Sequence, residues 1–342
     1  MSDRSDWSDR SDWSDKSDES DRSDWSDWSD WSDESDESDE SDESDKKQKN
    51  LASKQIYRQI GGLLLILLSF CKVHAYDFAD RSRGVTLYYN ILSQAERTVE
   101  LTHGGLENAY EERSYTIPRS VRHKGKRYRV VGVGKRAFAR CNQLTSITFS
   151  NHITRIDSAA FIGCVSLWKV RFPEKLSYIG DRAFYGCESL TYVEIPRRVE
   201  HIGTAAFSSC TAMVDILVDD RNVRYSDAGG SSCILDKQNH TLVQGCENTV
   251  VPEETTVIGP YAFEGCESLR SVELPSRIER IDEKAYWGCH EIESVRLKAF
   301  APPVVSEDAF PDGTGERAKF SVPYEAVTLY MDAPVWKGFT NY

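Results

Sequence analysis

The chain has 342 residues and a formal net charge of −13 at pH 7, which taken alone indicates an acidic protein. The first 45 residues hold 20 Asp and Glu against 4 Lys and Arg, a net charge of −16, so the remainder carries −13 + 16 = +3. A weakly basic remainder without a clustered Lys/Arg stripe argues against nucleic acid as a partner.

Residues 1–45 repeat the triplet Ser-Asp-X, in which X is Arg, Trp, Lys or Glu. The segment has no apolar periodicity that could build a core, so we predict a disordered, low-complexity leader. Two interpretations remain open. The segment is either an acidic, aromatic interaction tail with five tryptophans or, as we favour, a low-complexity or mistranslated leader without a function of its own.

Residues 46–75 follow the order of a secretory signal peptide: a basic stretch, the apolar run 60–70 and the small residue Ala75. The run is shorter than the ~20 residues that a membrane-spanning helix requires. We therefore predict cleavage near Ala75 and a mature chain that begins at Tyr76. Lipidation at Cys71 is disfavoured because Phe70 precedes it, and the absence of Met between Met1 and Met213 suggests a non-ATG start near Leu51.

Residues 76–130 contain short apolar segments at 85–91, 98–101, 115–118 and 128–131, separated by polar or glycine-bearing turns. This pattern predicts a small β-rich N-terminal cap. Such a cap would shield the first unit of a repeat array.

A 23-residue repeat organises residues 131–298, with an insertion at about 219–251. Each unit reads Leu-x-x-Val/Ile-x-Phe/Leu, often Pro, then Ile-Gly or Ile-Asp, then a short segment Ala-Phe-x-x-Cys. The alternation predicts a strand with one apolar face, and the last segment predicts a short helical or 3-10 return. Stacked units would bury a continuous core, so we predict a solenoid with a face of parallel strands. The repeated aromatic positions are Phe138, Phe161, Phe184, Phe207, Phe263 and Tyr286.

These motifs resemble the BspA-like branch of the leucine-rich repeats over about residues 131–297. The insertion resembles the hairpin repeat that interrupts such arrays, and residues 299–342 resemble their C-terminal cap. The chain departs modestly from the pattern: Tyr286 replaces the repeat Phe, and Asp157 and Asp282 stand where Gly is usual. The resemblance implies an exported protein that binds host or microbial macromolecules, with adhesion as the commonest role, and it identifies no ligand.

Nine cysteines raise the question of disulfides in an exported chain. Equivalent positions of stacked repeats lie ~5 Å apart with parallel side-chain vectors, so we favour a buried column of free thiols. The 23-residue spacing offers no metal-ligand pairing. In the insertion, a turn over residues 237–240 would place Cys233 opposite Gln244, so a bridge from Cys233 to Cys246 would need a bulge. We therefore expect eight free cysteines in the mature chain.

The outward positions of the repeat strands form a ladder, because neighbouring strands are ~4.8 Å apart. Aromatic and cationic side chains, which are enriched in binding hot spots, cluster on two adjacent rungs. The predicted ligand-binding residues are Trp168, Lys169, Arg171, Tyr192 and Glu194. The alternative is that Arg171 and Glu194 form an exposed ion pair of little value and that Trp168 packs against a loop.

The sequence contains no G-x-S-x-G, P-loop or H-E-x-x-H motif, so we predict no catalysis, cofactor or metal. The leading hypothesis is an exported or cell-surface adhesion protein that binds a host or microbial surface protein or glycan. The alternative is a structural component of an envelope or matrix that self-associates. A hydrolase hidden in the caps is a weaker third hypothesis, since no acid/base pair or nucleophile is evident there.

Overall fold

The computed structural model describes residues 76–81, 84–105 and 110–339, all within one compact unit that spans residues 73–342. The predicted leader and signal peptide, with Cys71, lie outside the described residues.

The N-terminal part is a small arrangement of strands. Strands β1 to β3 form an antiparallel meander, β5 and β6 form a hairpin, and β3 runs parallel to β6. Strand β4 instead begins the outer face of the solenoid by pairing with the first repeat strand. The bounds are β1 (Phe78–Asp80), β2 (Leu87–Ser93), β3 (Thr98–Thr102), β4 (Ser114–Thr116), β5 (Ser120–His123) and β6 (Lys126–Val133).

The first half of the repeat array stacks in parallel with a 23-residue step, so that Ser146 lies opposite Lys169 and Tyr192 lies opposite Asp215. This confirms the predicted solenoid. Each repeat contributes one strand to an outer face, which we call the strand face, and a two-residue strand to a second sheet. The strand-face elements are β7 (Ser146–Thr148), β9 (Lys169–Arg171), β11 (Tyr192–Ile195) and β13 (Asp215–Val218), and those of the second sheet are β8 (Arg155–Ile156), β10 (Tyr178–Ile179) and β12 (His201–Ile202).

The insertion contains β14 (Tyr225–Ser226) and a hairpin of β15 (Ile234–Asp236) and β16 (Thr241–Gln244). The turn covers residues 237–240 as predicted, but the predicted register is wrong. A bulge between Leu242 and Gln244 places Ile234, not Cys233, opposite Gln244. Cys233 and Cys246 are both free and buried.

The array then resumes, and strand β16 of the insertion pairs in parallel with the next strand of the second sheet. The C-terminal part ends in short helices that pack against the last repeat. Its elements are β17 (Val257–Ile258), β18 (Ser271–Leu274), β19 (Arg280–Ile281), β20 (Ser294–Leu297), β21 (Val304–Val305), α1 (Thr314–Arg317), β22 (Lys319–Ser321), the 3-10 helix η1 (Tyr324–Ala326), α2 (Val327–Asp332) and the 3-10 helix η2 (Trp336–Gly338). Strands β18, β20 and β22 belong to the strand face.

The Ala-Phe-x-x-Cys segments are successive turns and not the short helices that the pattern predicts. In the unit of Phe161, Ala159 has φ 56° and Gly163 has φ 69°. A left-handed residue on each side of the phenylalanine prevents the continuous right-handed backbone that a helix needs.

The phenylalanines and cysteines of these turns form two buried columns. The ring of Phe161 stacks between those of Phe138 and Phe184, with centroids 5.1 and 5.0 Å apart. The Cys187 thiol donates to the Phe161 carbonyl at 3.3 Å, and the Cys164 thiol donates to the Phe138 carbonyl at 3.0 Å. All eight described cysteines are free and all but Cys266 are buried, as the packing interpretation predicts.

Gly180 and Gly203, which follow strands of the second sheet, are required by close packing between units. A Cβ added at Gly203 would lie 2.4 Å from the backbone nitrogen of Asp181 in the preceding unit. A side chain therefore does not fit at this position unless the stack separates.

The insertion divides the core into two clusters. Ile234 and Cys246 pack with the first half of the array, whereas Cys233, Leu235 and Leu242 pack with the second. The hairpin thus replaces the stacking contacts that adjacent regular units would make.

Candidate binding surface

Four of the five predicted site residues lie on β9 and β11, which follow each other on the strand face. Lys169 and Arg171 are exposed on either side of the buried Val170, while half-buried Tyr192 and exposed Glu194 flank the buried Val193. The alternation of an extended strand directs these four side chains away from the core.

Trp168 precedes β9 and remains 51% exposed. Its backbone N–H donates to the Thr145 carbonyl at 3.3 Å. The Lys169 ammonium lies 5.7 Å from the centroid of the indole ring, a cation–π distance that contributes about 0.5–1 kcal/mol at an exposed site. A neighbouring loop therefore does not bury Trp168, which stays partly accessible to solvent.

Lys169, Arg171, Tyr192 and Glu194 line one cleft of about 450 Å³. This volume lies within the range of small-molecule and side-chain pockets. Trp168 does not line the cleft and lies beside it on the same strand face. The structure thus brings four of the predicted residues together around a concavity.

The rim of the cleft includes charged residues that the strand pattern did not identify. Arg197 and Glu174 follow the prolines that end β11 and β9, and Asp219 and Arg221 follow β13. The turns after successive strands stack at the same edge of the strand face, so charged residues immediately after the strand end are the signal that could have found them.

Asp219 and Arg221 are bound to each other. The Arg221 guanidinium donates to the two carboxylate oxygens of Asp219 at 2.9 and 2.8 Å. These hydrogen bonds from Arg221 lower the pKa of Asp219 to about 2. Asp219 and Arg221 therefore form an exposed ion pair at the rim.

Arg171 and Glu194 do not form the exposed ion pair of the alternative interpretation, because none of the ion pairs within the described ranges joins them. The strand face of the second half differs. Arg270 pairs with Glu293 at 2.8 Å, and Lys298 pairs with Glu273 at 2.9 Å. Arg171 and Glu194 of the cleft thus have no ion-pair partner among the described residues, whereas Arg270 and Glu293, and Lys298 and Glu273, of the later rungs are paired.

Exposed aliphatic side chains extend the surface along the next rung. Leu217 lies opposite Glu194 in register and is 40% exposed, and Val214 is 41% exposed. Together with Trp168 they add exposed apolar surface to the strand face.

The described residues include no group of three or more His, Cys, Asp and Glu side chains arranged to hold a metal ion. Burial raises the pKa of Cys210 and of Cys289 to about 12. These thiols are protonated at neutral pH, and the thiol form is a poor nucleophile. Within the same ranges, no helix is long and apolar enough to cross a membrane.

The model of the BspA-type leucine-rich-repeat region matches the chain in six copies, over residues 131–229 and 242–314. Several solved structures are similar. A leucine-rich-repeat protein from Bacteroides ovatus is 19% identical, with 74% of this chain and 81% of that chain covered and a TM-score of 0.45. A T. pallidum leucine-rich-repeat protein is 22% identical, with 66% and 88% covered and a TM-score of 0.41. No curated protein matches the chain.

Proposed function

Because the chain belongs to the BspA-type leucine-rich-repeat family, whose repeats serve as scaffolds for protein interaction, we propose that it is an exported adhesion protein. It binds a surface protein or glycan of a host or microbial cell through the cleft of Lys169, Arg171, Tyr192 and Glu194, with Trp168 beside it. No bond is made or broken.

The observation that carries this proposal is the free charge around the cleft. Lys169, Arg171 and Glu194 face solvent without an ion-pair partner among the described residues, and Tyr192 supplies an aromatic wall. Aromatic side chains next to unpaired cations are characteristic of binding hot spots. Cationic hydrogen-bond donors and an anionic acceptor in one cleft suit hydroxyl-rich glycans as well as polar protein surfaces.

Export rests on the signal-peptide pattern of residues 46–75. N-terminal peptide mapping of the native extracellular protein is expected to give a chain that begins at Tyr76. Recovery of intact Ser-Asp repeats on secreted material would contradict both the predicted cleavage site and the prediction that the leader has no function of its own.

The binding site is tested with a double variant, Trp168→Ala with Tyr192→Ala. The protein is immobilised and exposed to extracellular-matrix proteins, glycans and microbial surface material, and the captured amount is measured. Because both side chains are surface groups, we expect capture to fall at least tenfold while Tm changes by less than about 2 °C.

A matched control is Trp287→Ala with Tyr261→Ala. Trp287 is 43% exposed on the turn side of the solenoid, and the Lys284 ammonium lies 5.5 Å from its ring centroid. The control is expected to retain capture. Equal loss in both double variants, or unfolding of the Trp168 and Tyr192 variant, would refute the site.

Self-association as an envelope or matrix component is the competing proposal. Light scattering of the native protein separates the two, since polymers that grow with concentration indicate a scaffold and a concentration-independent monomer indicates capture.

A further inference from the structure

The strand face is interrupted at the insertion. Among the described strands, β13 pairs only with β11 and β18 pairs only with β20, so no strand joins β13 to β18. The segment from Cys246 to Pro252, which occupies this position in the stack, is shorter than the equivalent segment of a regular unit. Pro252 follows Cys246 by six positions, whereas Pro275 follows Cys266 by nine.

The edge of β18 that faces this interruption carries unpaired backbone groups. The carbonyls of Arg270 and Leu274 accept hydrogen bonds from β20 and its continuation, from Ser294 N–H at 3.2 Å and Lys298 N–H at 3.0 Å. Backbone groups of successive strand residues point to opposite sides. The N–H and C=O groups of Ser271 and Glu273 therefore point toward the interruption, where no described strand pairs with them.

The edge of β13, in contrast, is covered by the insertion. The Asn248 amide donates to the Val214 carbonyl at 3.0 Å, and the Asp227 carboxylate accepts the Val218 N–H at 3.1 Å. Natural proteins commonly protect strand edges in this manner because an exposed edge pairs readily with another chain. Only the β18 side of the interruption lacks this protection.

A cleft of about 500 Å³ opens beside β18. One wall is the short segment at Val250 and Val251, and the other is β18 at Ser271 and Glu273. Its apolar floor reaches the core at Phe263, Leu269 and Tyr286.

The Tyr286 hydroxyl is the unusual group in this floor. Tyr286 is 0% exposed, and its hydroxyl has no hydrogen-bond partner among the described residues. It stands where the repeat has phenylalanine, as at Phe263. A buried hydroxyl without a partner is unfavourable, and a ligand that offers a polar group in the cleft would relieve this penalty.

The rim of the cleft has an excess of negative charge. Glu253, Glu254 and Glu273 surround it, against one cation, Lys298. The Lys298 ammonium lies 2.6 Å from Glu253 and 2.9 Å from Glu273. Within the described ranges no ion pair involves Glu254, so the rim attracts a basic partner.

We propose that this cleft binds an extended, basic peptide segment of a partner protein, which adds to β18 as a parallel strand. Such strand addition derives affinity from backbone hydrogen bonds and specificity from alternate side-chain pockets. One inward side chain with a polar tip reaches the Tyr286 hydroxyl, and an outward Lys or Arg lies beside Glu273. This site is separate from the Lys169 cleft and goes beyond the function proposed above.

The probe is a synthetic peptide that copies a regular strand of this chain, residues 190–198, with two changes. Glu194→Lys places a cation beside Glu273, because Glu194 and Glu273 occupy equivalent positions of the repeat. Val193→Thr supplies the inward polar group. The equivalent of position 193 is also the residue whose N–H would donate to the Ser271 carbonyl.

Fluorescence anisotropy with the native protein is expected to show saturable binding of this peptide. N-methylation at the position of Val193 removes the strand-pairing donor and is expected to weaken binding at least tenfold. Hydrogen exchange is expected to show new protection of the Glu273 amide in the complex. Absence of binding, or equal binding of the methylated peptide, would overturn the proposal.

Variants of the protein separate the contributions of the Tyr286 hydroxyl and of the rim carboxylates to peptide binding. Tyr286→Phe is expected to weaken binding of the peptide with threonine at position 193 by about three- to tenfold. It is expected to leave binding of a peptide that keeps valine there unchanged. Glu253→Gln with Glu254→Gln is expected to weaken both peptides and to reduce the salt dependence of binding. Trp168→Ala is expected to have no effect. If protection of the Glu273 amide instead grows with protein concentration alone, a second copy of the chain occupies the edge and the peptide proposal is wrong.

Discussion

Replacing Tyr286 by phenylalanine is expected to stabilise the free protein. The hydroxyl is fully buried without a protein partner among the described residues, and leaving such a group unsatisfied costs about 1–3 kcal/mol. The ring itself stacks with Phe263 and Phe310, both at 4.9 Å between centroids, so phenylalanine fits the column. Because Tyr286 lines an existing cleft, we expect removal of its hydroxyl to sacrifice little packing.

The expected gain of about 1–3 kcal/mol raises Tm by about 2–4 °C per kcal/mol in a domain of 150–250 residues. Urea unfolding followed by circular dichroism measures the change. The matched control is Tyr330→Phe: Tyr330 is also fully buried, but its hydroxyl donates to the Ala299 carbonyl at 2.9 Å. That variant is expected to lose about 0.5–1.5 kcal/mol. Destabilisation of similar size in both variants would refute the reasoning.

Three further predictions concern packing, thiols and the cleft rim. Gly203→Ala is expected to destabilise the protein by about 1–3 kcal/mol, because the new Cβ would lie 2.4 Å from the backbone nitrogen of Asp181. Gly338→Ala, whose Cβ would meet open space, is the control, and equal midpoints of urea unfolding would contradict the packing argument. Burial raises the pKa of Cys210 and Cys289 to about 12 from an ordinary value of 9.0. These thiols therefore ionise in the unfolded chain at a lower pH than in the folded protein. The free energy of unfolding is thus expected to fall as pH rises from about 9 to 12. Cys210→Ala should flatten that loss, and a thiol-reactive dye should react slowly with the native protein and find eight thiols after unfolding; an unchanged slope or fewer thiols would contradict this. Arg221→Gln is expected to raise the pKa of Asp219 from about 2 toward its ordinary 3.8, measured by NMR titration, and a persistent low value would show that Arg221 is not the cause.

The regular part of the fold follows from the 23-residue pattern. Strand register, the phenylalanine column and the cysteine column are all consequences of stacking identical units, so the position of Phe161 predicts those of Phe138 and Phe184. The turn conformation was not predictable in the same way. The left-handed residues at Ala159 and Arg182 are not glycine or asparagine. Hydrogen bonds between stacked turns stabilise them there, for example Ala159 N–H to the Asp181 carbonyl at 2.8 Å.

The insertion was predictable as a hairpin but not in its register. The loop length placed the turn correctly, whereas the bulge before Gln244 depends on how Ile234 and Cys233 divide between the two cores. Such a choice is made by tertiary packing.

The candidate cleft was predictable where its residues belong to strands. Lys169, Arg171, Tyr192 and Glu194 alternate with core residues, so sequence alone placed them on the surface. Arg197 and Arg221 belong to turns, whose direction depends on the stacking of the units. The repeat pattern places these turns at one edge of the strand face but does not give the direction of their side chains.

The interruption between β13 and β18 combines two unfavourable features. A free strand edge at Ser271 and Glu273 invites non-specific pairing, and the buried Tyr286 hydroxyl lowers stability. Either feature could be removed simply, by three more residues between Cys246 and Pro252 or by phenylalanine at position 286. Their coincidence in one cleft, together with the Glu254 carboxylate at its rim, which no ion pair among the described residues involves, is accounted for by a ligand that satisfies all three at once. Binding that relieves these local penalties also raises the stability of the complex. Saturating peptide should therefore raise the Tm of the native protein more than that of the Tyr286→Phe variant.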